Sequence, residues 1–433
     1  MKKQIGIIAD DLTGANDSGV QLAKKGLAST VVFDHRHYRQ DTRAEVLIVD
    51  TDSRAKRSAD AYEAAYEAAQ FLEEQGCRHI YKKLDSTLRG NVAEELRAVQ
   101  KVFRPDLVLI APAFPKMNRT TVQGHHYVQG VLITETEFAK DPKTPVMESY
   151  IPKLLQKEGE PEAVLISTSQ TRQSAAQFLP WLQSKLAEGQ TWFVCDSETE
   201  EDLQAIAGLF SQLDKKILWT GSAGLIEYLP EALSLTSLEE GSQDWAQADK
   251  ALIVSGSLSQ TTRRQLRAVE DMPDSLMLEI DPAALIRETY DTEDVLQQIA
   301  QDMDKRCLVL YVDASEENRR LAKEAGDERG LSPTEVSEAI SLGLGRMTKA
   351  ILQAYAEIQG LVLTGGDTAK AICMELGMGE MQLYSEVEPG LPFGRLQGMG
   401  KGYWTVTKAG GFGNDQSLAD SLHYITNKKK VRI

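Results

Sequence analysis

The chain has 433 residues, 42% hydrophobic and 26% charged, enough for two or three domains with sizeable cores. A net charge of −16 argues against a nucleic-acid groove or an anionic membrane surface, and an anionic substrate would need a local cluster of Arg and Lys against that field. Cys77, Cys195, Cys307 and Cys373 have no paired spacing and read as reduced thiols; with no signal-like opening and no apolar run long enough to span a bilayer, a cytoplasmic protein is expected.

Residues 5–9 form an apolar run that reads as a buried strand. It breaks into Asp10-Asp11-Leu12-Thr13-Gly14, and an amphipathic stretch follows that stops at Gly26. Strand, polar turn with glycine, helix is the first half of a βαβ unit. Ligands of open α/β sheets lie outside the carboxyl ends of the strands, so the two carboxylates are candidates for chemistry. Asp is equally at home as a helix cap or in a solvated loop, and taken alone the pair divides evenly between these readings.

Strands are expected at 29–33 and 46–49, the second ending in Asp50-Thr51-Asp52-Ser53-Arg54. A helix at 59–75 and a strand at 79–82 lead to a dense loop, Lys83-Leu84-Asp85-Ser86-Thr87-Leu88-Arg89-Gly90-Asn91. A helix at 93–102 precedes a strand at 107–111 that runs into Pro112-Ala113-Phe114-Pro115. The polar clusters at Asp10-Asp11, Asp52 and Arg54, Lys83 to Arg89, and after Pro115 each follow a strand. A right-handed parallel sheet brings such ends to one rim. Further strands at 163–167, 192–195 and 216–220 alternate with helices at 172–188 and 198–213, and Thr220-Gly221-Ser222-Ala223-Gly224 reads as a structural turn.

Residues 234–249 are rich in Ser, Glu, Gln and Asp without periodicity, which places domains at 1–235 and 250–433 with a linker at 236–249. In the second domain a strand at 251–254 runs into Ser255-Gly256-Ser257-Leu258-Ser259, and a polar helix covers 260–270. Strands at 276–280 and 307–312 precede a long helix at 332–358, opened by Ser332-Pro333-Thr334-Glu335. A strand at 361–364 breaks at Gly365-Gly366-Asp367-Thr368 into a helix at 369–376, and a strand at 403–407 ends at Lys408-Ala409-Gly410-Gly411. Lys428-Lys429-Lys430 reads as a solvated end. The fold class expected is α/β: two domains, each built on a mainly parallel sheet flanked by helices.

A strand, two glycines and a helix start gather free backbone N–H groups and the positive end of a helix dipole, which binds phosphate without basic side chains. Gly365 to Thr368 fits that pattern, with Ser255-Gly256-Ser257 and Gly410-Gly411 as two further small-residue turns. None matches the Walker or dinucleotide fingerprints, but three in one domain favour a nucleotide site. Carboxylates and cations in one domain and phosphate donors in the other fit phosphoryl transfer, which asks of a protein mainly alignment, charge neutralisation and a base.

Four stretches in order, IADDLTGANDSG (8–19), YKKLDSTLRGN (81–91), PAFPKMNRTTVQGHHYV (112–128) and TGGDTA (364–369), resemble the four-carbon acid sugar kinase family over nearly the whole chain. The resemblance implies an N-terminal acid-sugar domain, a C-terminal nucleotide domain, and ATP with Mg2+ as cofactors. Its expected partners are a small sugar acid and ATP, with no nucleic acid and no membrane, and a homodimer as a candidate assembly. The LTGAND opening is similar to D-threonate and D-erythronate kinases rather than to 3-oxo-tetronate kinases with FTGATD. D-threonate is thus the expected substrate and 4-phospho-D-threonate the product, with D-erythronate or a 3-oxo-tetronate as alternatives.

By motif, the resemblance places Asp10, Asp11, Arg54, Lys83, Asp85, Arg89 and Arg119 around the acid sugar, with Asp11 or Asp85 as the base. Lys83, Arg89 and Arg119 would hold the substrate carboxylate. From the residues themselves, His126 is read as a hydrogen-bond donor to the substrate ahead of a purely structural role, with a metal ligand below both. Ser257, Gly365, Gly366, Asp367, Thr368 and Gly410 would meet the nucleotide; Asp367 either steers Mg2+ or caps the helix, and no metal ligand set is assigned. Asn118 stands where many members carry glycine ahead of the arginine, and Asn tolerates left-handed backbone angles. Two other classes compete. A haloacid-dehalogenase phosphatase needs D-x-D-x-T, whereas adjacent aspartates on an extended chain diverge. A non-catalytic sugar-acid sensor has no evident use for three phosphate-friendly turns.

Overall fold

The computed structural model describes residues 3–35, 38, 44–141, 143–157, 162–235, 248–257, 259–398 and 401–426. The expected linker, apart from its last two residues, and the basic tail lie outside them. The chain divides into two compact units, one formed essentially by residues up to 239 and the other from 240 onward.

The first unit holds strands β1 (Ile5–Ala9), β2 (Ser29–Val32), β3 (Val46–Asp50), β4 (His79–Lys83), β5 (Leu107–Ala111), β6 (Arg119–Val122), β7 (His125–Val128), β8 (Val131–Leu132), β9 (Val164–Ile166), β10 (Trp192–Cys195) and β11 (Ile217–Gly221). Its main sheet runs β2-β3-β1-β4-β11-β5-β10-β9, with every pairing parallel. β1, β3 and β5 are buried along their whole length, so they read as unbroken apolar runs rather than as alternation. Helices α1 (Leu12–Lys24), α2 (Ser58–Glu74) and α3 (Val92–Phe103) make the first crossovers.

Register decides where polar chemistry can gather. Ala9 pairs with Asp50 on one side and Lys83 on the other; Lys83 pairs with Gly221, and Gly221 with Ala111. Five strands therefore end in one row. From β1 the chain leaves toward the β2 edge, and from β4 it leaves toward β5. The crevice at such a reversal of direction is where open α/β sheets place ligands.

The second unit holds β12 (Lys250–Ser255), β13 (Ser275–Glu279), β14 (Cys307–Tyr311), β15 (Ile358–Thr364), β16 (Glu380–Glu386), β17 (Pro392–Gln397) and β18 (Gly402–Lys408). β13-β14-β12-β15-β18 are parallel, and β17 and β16 add antiparallel strands beyond β18. Ser255, Thr364 and Lys408, the last residues of β12, β15 and β18, are in register.

Three expectations are corrected. The long helix is Pro333–Ala354, opened by the reciprocal Ser332–Glu335 cap as expected, but it stops four residues short and Ile358 begins β15. A buried parallel strand has no alternation, so its apolar run continues the helix's stripe without a visible break. The helix expected at 172–188 is Ala175–Ala187, starting three residues later because Ser174 and Gln177 form its cap, and a separate helical turn, Thr168–Thr171, precedes it. The hairpins of residues 119–132 and 380–397 and the polar helix Glu316–Arg329 were not among the expected elements.

One buried ion pair joins β4 to α3. Lys82 Nζ lies 2.8 Å from Glu95 Oε2, both side chains are almost wholly buried, and Glu95 also accepts from Ser53 Oγ at 2.7 Å. Breaking such a pair leaves an uncompensated charge in the interior. Lys82→Met is expected to lower the unfolding free energy by about 3–5 kcal/mol, and Lys82→Met with Glu95→Leu to recover most of that loss, measured by urea denaturation. A double variant as unstable as the single one would contradict this account.

Candidate active site

β1 delivers Asp10 and Asp11 to the rim, and the capping reading of that pair holds for Asp11. Asp11 is the N-cap of α1, where Oδ1 accepts from Gly14 N at 2.7 Å. Its other oxygen, Oδ2, lies 2.6 Å from Arg54 Nη1. Arg54, in the loop after β3, grips Asp10 with two prongs, Nε to Oδ2 at 2.8 Å and Nη2 to Oδ1 at 3.0 Å. Its Nη2 is also 3.9 Å from Asp85 Oδ1. The guanidinium expected to face the substrate is thus committed to holding carboxylates from two other strand ends.

The three carboxyls are not equivalent. Burial raises that of Asp10, but Arg54 outweighs burial and holds it below the usual carboxylate range. Burial also opposes ionisation of Asp85, yet Arg54, Arg89 and the Thr87 hydroxyl together hold it well below that range. At Asp11 burial wins, helped by the neighbouring charge of Asp10, over the pull of Arg54 and Lys83, and the carboxyl is raised.

Lys83, the last residue of β4, is buried and donates to Leu84 O at 2.8 Å; it makes no ion pair among the described residues. A Cβ placed on Gly14 would lie 2.9 Å from both Lys83 Nζ and Asp11 Oδ1. A larger residue there would have to displace the lysine end or the capping carboxylate.

Arg89 donates from Nε to Asp85 at 2.6 Å, reaches Asp141 from Nη1 at 3.3 Å, and lies over the Phe138 ring. The loop that presents Asp85 bends at Leu88, buried at φ 54, a backbone angle unusual for a bulky residue and found disproportionately at functional sites.

Arg119 opens β6, directly after Asn118, which stands at φ 53 and ψ 40 as its tolerance of left-handed angles anticipated. The meander that carries Arg119 turns at Gln123-Gly124 and Gln129-Gly130, each pair with positive φ at both residues, as two-residue hairpin turns require. Asp196 pins the first turn, accepting from the N–H groups of Gln123 and Gly124 at 2.8 Å each. Arg119 Nη1 donates to Ser86 Oγ. Its Nε is buried without a hydrogen-bond partner among the described residues, and burial disfavours its charge more than Asp85 supports it.

His126 occupies another position than expected. It is fully buried; Nε2 donates to Ser86 O at 2.9 Å, and Nδ1 faces Thr121 Oγ1 at 3.3 Å. Both ring nitrogens are engaged, which leaves none for a ligand; the ring braces Ser86, which in turn holds Arg119. His125 hydrogen-bonds Ser149 Oγ and packs on Tyr150. Asp52 is exposed at φ 47, its N–H bonded to Asp50 Oδ1 at 2.9 Å. Lys82, Glu95, Ser86, Asp141 and Asp196 were overlooked in the sequence. Ser86 and Asp196 lie in loops fed by a strand end, whereas Lys82 within β4, Glu95 within α3 and Asp141 carry no such signal.

In the second unit the glycine turns also share one rim, because their strands end in register. Gly365, at φ 102, is the N-cap of helix Gly366–Glu375, which has no side-chain cap. Thr368 Oγ1 lies 3.4 Å from Ser341 Oγ, and Asp367 is exposed in the helix's first turn. Gly365 N donates to Lys408 O at 2.9 Å, tying β15 to β18. A Cβ on Gly410 would fall 2.2 Å from Ser257 Oγ, so the β12 and β18 turns touch there. Ser257, Gly365 to Thr368 and Gly410 are therefore brought together.

A family model for a sugar-binding N-terminal domain matches residues 5–229, and one for a nucleotide-binding C-terminal domain matches 252–418. The chain is 36% identical to a D-threonate kinase of Salmonella typhimurium over 97% of each protein. It is 31% identical to a D-erythronate kinase of Heliobacterium modesticaldum, covering 98% of this chain and 97% of the relative. A Haemophilus influenzae crystal structure shares the fold, with a TM-score of 0.78 at 22% identity over 96% of this chain and 98% of its own.

The His126 brace has a pH signature. Burial pushes its imidazole down to about 4, whereas an unfolded histidine titrates near 6.5. The folded state binds fewer protons in that window, so this group's contribution is present above about pH 6.5 and is lost as pH falls toward 4. His79 shifts in the same direction, so the readout is a difference. The stability gap between wild type and His126→Gln is expected to narrow by roughly 1.4 kcal/mol per unit from about pH 6.5 to 5, measured by urea denaturation. A gap that stays constant would show that the His126 imidazole titrates alike in the folded and unfolded chain.

Proposed function

The chain belongs to the four-carbon acid sugar kinase family, and on that premise we propose that it transfers the γ-phosphoryl group of ATP to D-threonate, giving 4-phospho-D-threonate. The observation that carries the chemistry is the inequality of the carboxyls. Asp11 is raised, lies beside Lys83 and is the less buried of the β1 pair, whereas Asp85 is locked low by two arginines. A general base gains strength as its pKa rises toward the working pH, which favours Asp11 over the two carboxyls held low. Arg119 and Lys83, two cations of this site with no ion pair to a carboxylate among the described residues, fit the carboxylate of an acid sugar, with Arg89 near Arg119. The choice of D-threonate among four-carbon acids rests on the LTGAND opening and on the higher identity to the threonate kinase.

In the second unit Gly365 to Thr368, Ser257 and Gly410 would receive the phosphates of ATP through backbone and hydroxyl donors. Mg2+ bound to those phosphates supplies charge neutralisation across the transferring group. Such an ion keeps most of its shell from water and phosphate and asks for one or two protein carboxylates. Asp367, exposed at the first turn of the phosphate-facing helix, fits that need, and no set of three or more ligating side chains occurs among the described residues. The chain's own work is alignment: Arg54 fixes the carboxylates, Lys83 and Arg119 fix the acid, and Asp11 takes the hydroxyl proton.

A coupled ADP-release assay over D-threonate, D-erythronate, L-threonate, L-erythronate and 3-oxo-tetronates should give its highest kcat/KM with D-threonate; saturable turnover on none of them removes the assignment. Asp11→Asn keeps a good helix cap, since Asn serves that position as well as Asp. It should nonetheless lower kcat by roughly 10²- to 10⁴-fold with little change in ATP affinity. A variant with near wild-type rate clears Asp11 of the base role.

A further inference from the structure

One buried charge at the second unit's rim has no part in that mechanism. Lys408, the last residue of β18, is 3% exposed, and its ammonium turns into the loop that follows it. Nζ donates to the carbonyls of Ala409 at 3.0 Å, Gly410 at 3.2 Å and Phe412 at 3.2 Å, and lies 3.4 Å from Thr262 Oγ1. Two of those carbonyls are held from other directions as well. Gly410 O accepts from Ser259 Oγ at 2.6 Å and Thr262 Oγ1 at 2.8 Å, and Phe412 O from Gln265 Nε2 at 3.0 Å.

In a trans peptide the C=O of one residue and the N–H of the next point in opposite directions. Carbonyls drawn inward at 409, 410 and 412 therefore send the N–H groups of Gly410, Gly411 and Gly413 away from the ammonium. None of these three N–H groups has an acceptor among the described residues, and the space beside Gly411 is open. Amides converging outward from a glycine-rich turn make an anion cradle.

We propose that Lys408 is a positioning residue whose ammonium, by gathering the carbonyls of the 409–412 loop beneath it, holds the amides of Gly410, Gly411 and Gly413 outward to cradle a nucleotide phosphate. Its positive charge also acts on that phosphate from behind the loop. The inference rests on the second unit being the ATP site. The charged group facing Lys408 is Glu388, from the turn between β16 and β17, whose own oxygens bind Ser417 Oγ and Asn414 Nδ2. Helix Gln260–Glu270 turns only the hydroxyl of Thr262 toward it. Burial outweighs Glu388 and lowers the lysine to about 8, so its charge is lost as pH rises through that region.

The test is calorimetric titration of the full chain with ADP between about pH 7.5 and 9.5, above the range near 6 where phosphate itself titrates. Wild-type Kd should weaken roughly ten-fold across that window, since ADP binds the protonated form preferentially. Lys408→Met should bind ADP roughly 30-fold more weakly at pH 7.5 and show no further pH dependence, with its folding checked by thermal melting. Lys408→Met that binds ADP within three-fold of wild type, or keeps the wild-type pH slope, overturns the proposal while leaving the nucleotide site standing. Where the variant does not fold, the wild-type titration decides, and a flat Kd overturns the proposal. Wild-type protein that binds no ADP at any pH overturns the nucleotide reading together with this one.

Discussion

A single guanidinium organises the first unit's rim. Arg54 closes on Asp10 with two prongs, takes one oxygen of Asp11, and stands close to Asp85, so three carboxylates from two strand ends share one cation. Without it, like charges would face one another in a partly desolvated pocket, and each would resist ionisation. With it they become unequal. Buried ion pairs often add little net stability compared with apolar packing. Their effect in this cluster is to hold Asp10 and Asp85 below the usual carboxylate range while the Asp11 carboxyl stays raised.

Both units solve their binding problem at the same place by different means. Each has parallel strands that end in register, which turns separate loops into one rim. The first unit fills its rim with ionisable side chains, as suits a small acid with several hydroxyls to tell apart. The second fills its rim with glycine, serine and threonine, a composition that offers backbone amides and hydroxyls rather than charges. Phosphate is large, highly charged and symmetrical, so oriented N–H groups suffice for it.

The α/β architecture and the location of the clusters were legible because buried parallel strands are apolar runs that end abruptly in polar loops. That contrast located Asp10, Asp11, Lys83, Asp85 and the Gly365 turn from sequence alone. It failed where the physics is non-local. Lys82 sits inside a strand and looks misplaced until Glu95 arrives from α3. His126 looks like a ligand until Ser86 and Thr121 claim both its nitrogens. The meander escaped notice because its strands are short and half-buried, and because Gln-Gly is a weaker hairpin signal than Asn-Gly. Arg54 was legible as a member of the site but not as its clamp, since nothing in a linear spacing says that three carboxylates will converge on it.

The unmatched Nε of Arg119 has a consequence for discrimination. A buried donor without an acceptor costs about 1–3 kcal/mol, and this one has none among the described residues. On the proposal that Arg119 holds the acid's carboxylate, an ionised carboxyl relieves that cost, whereas the lactone or the aldose with the same carbon skeleton brings no negative oxygen to the same spot. On that proposal, rejection of neutral look-alikes is built into the pocket itself.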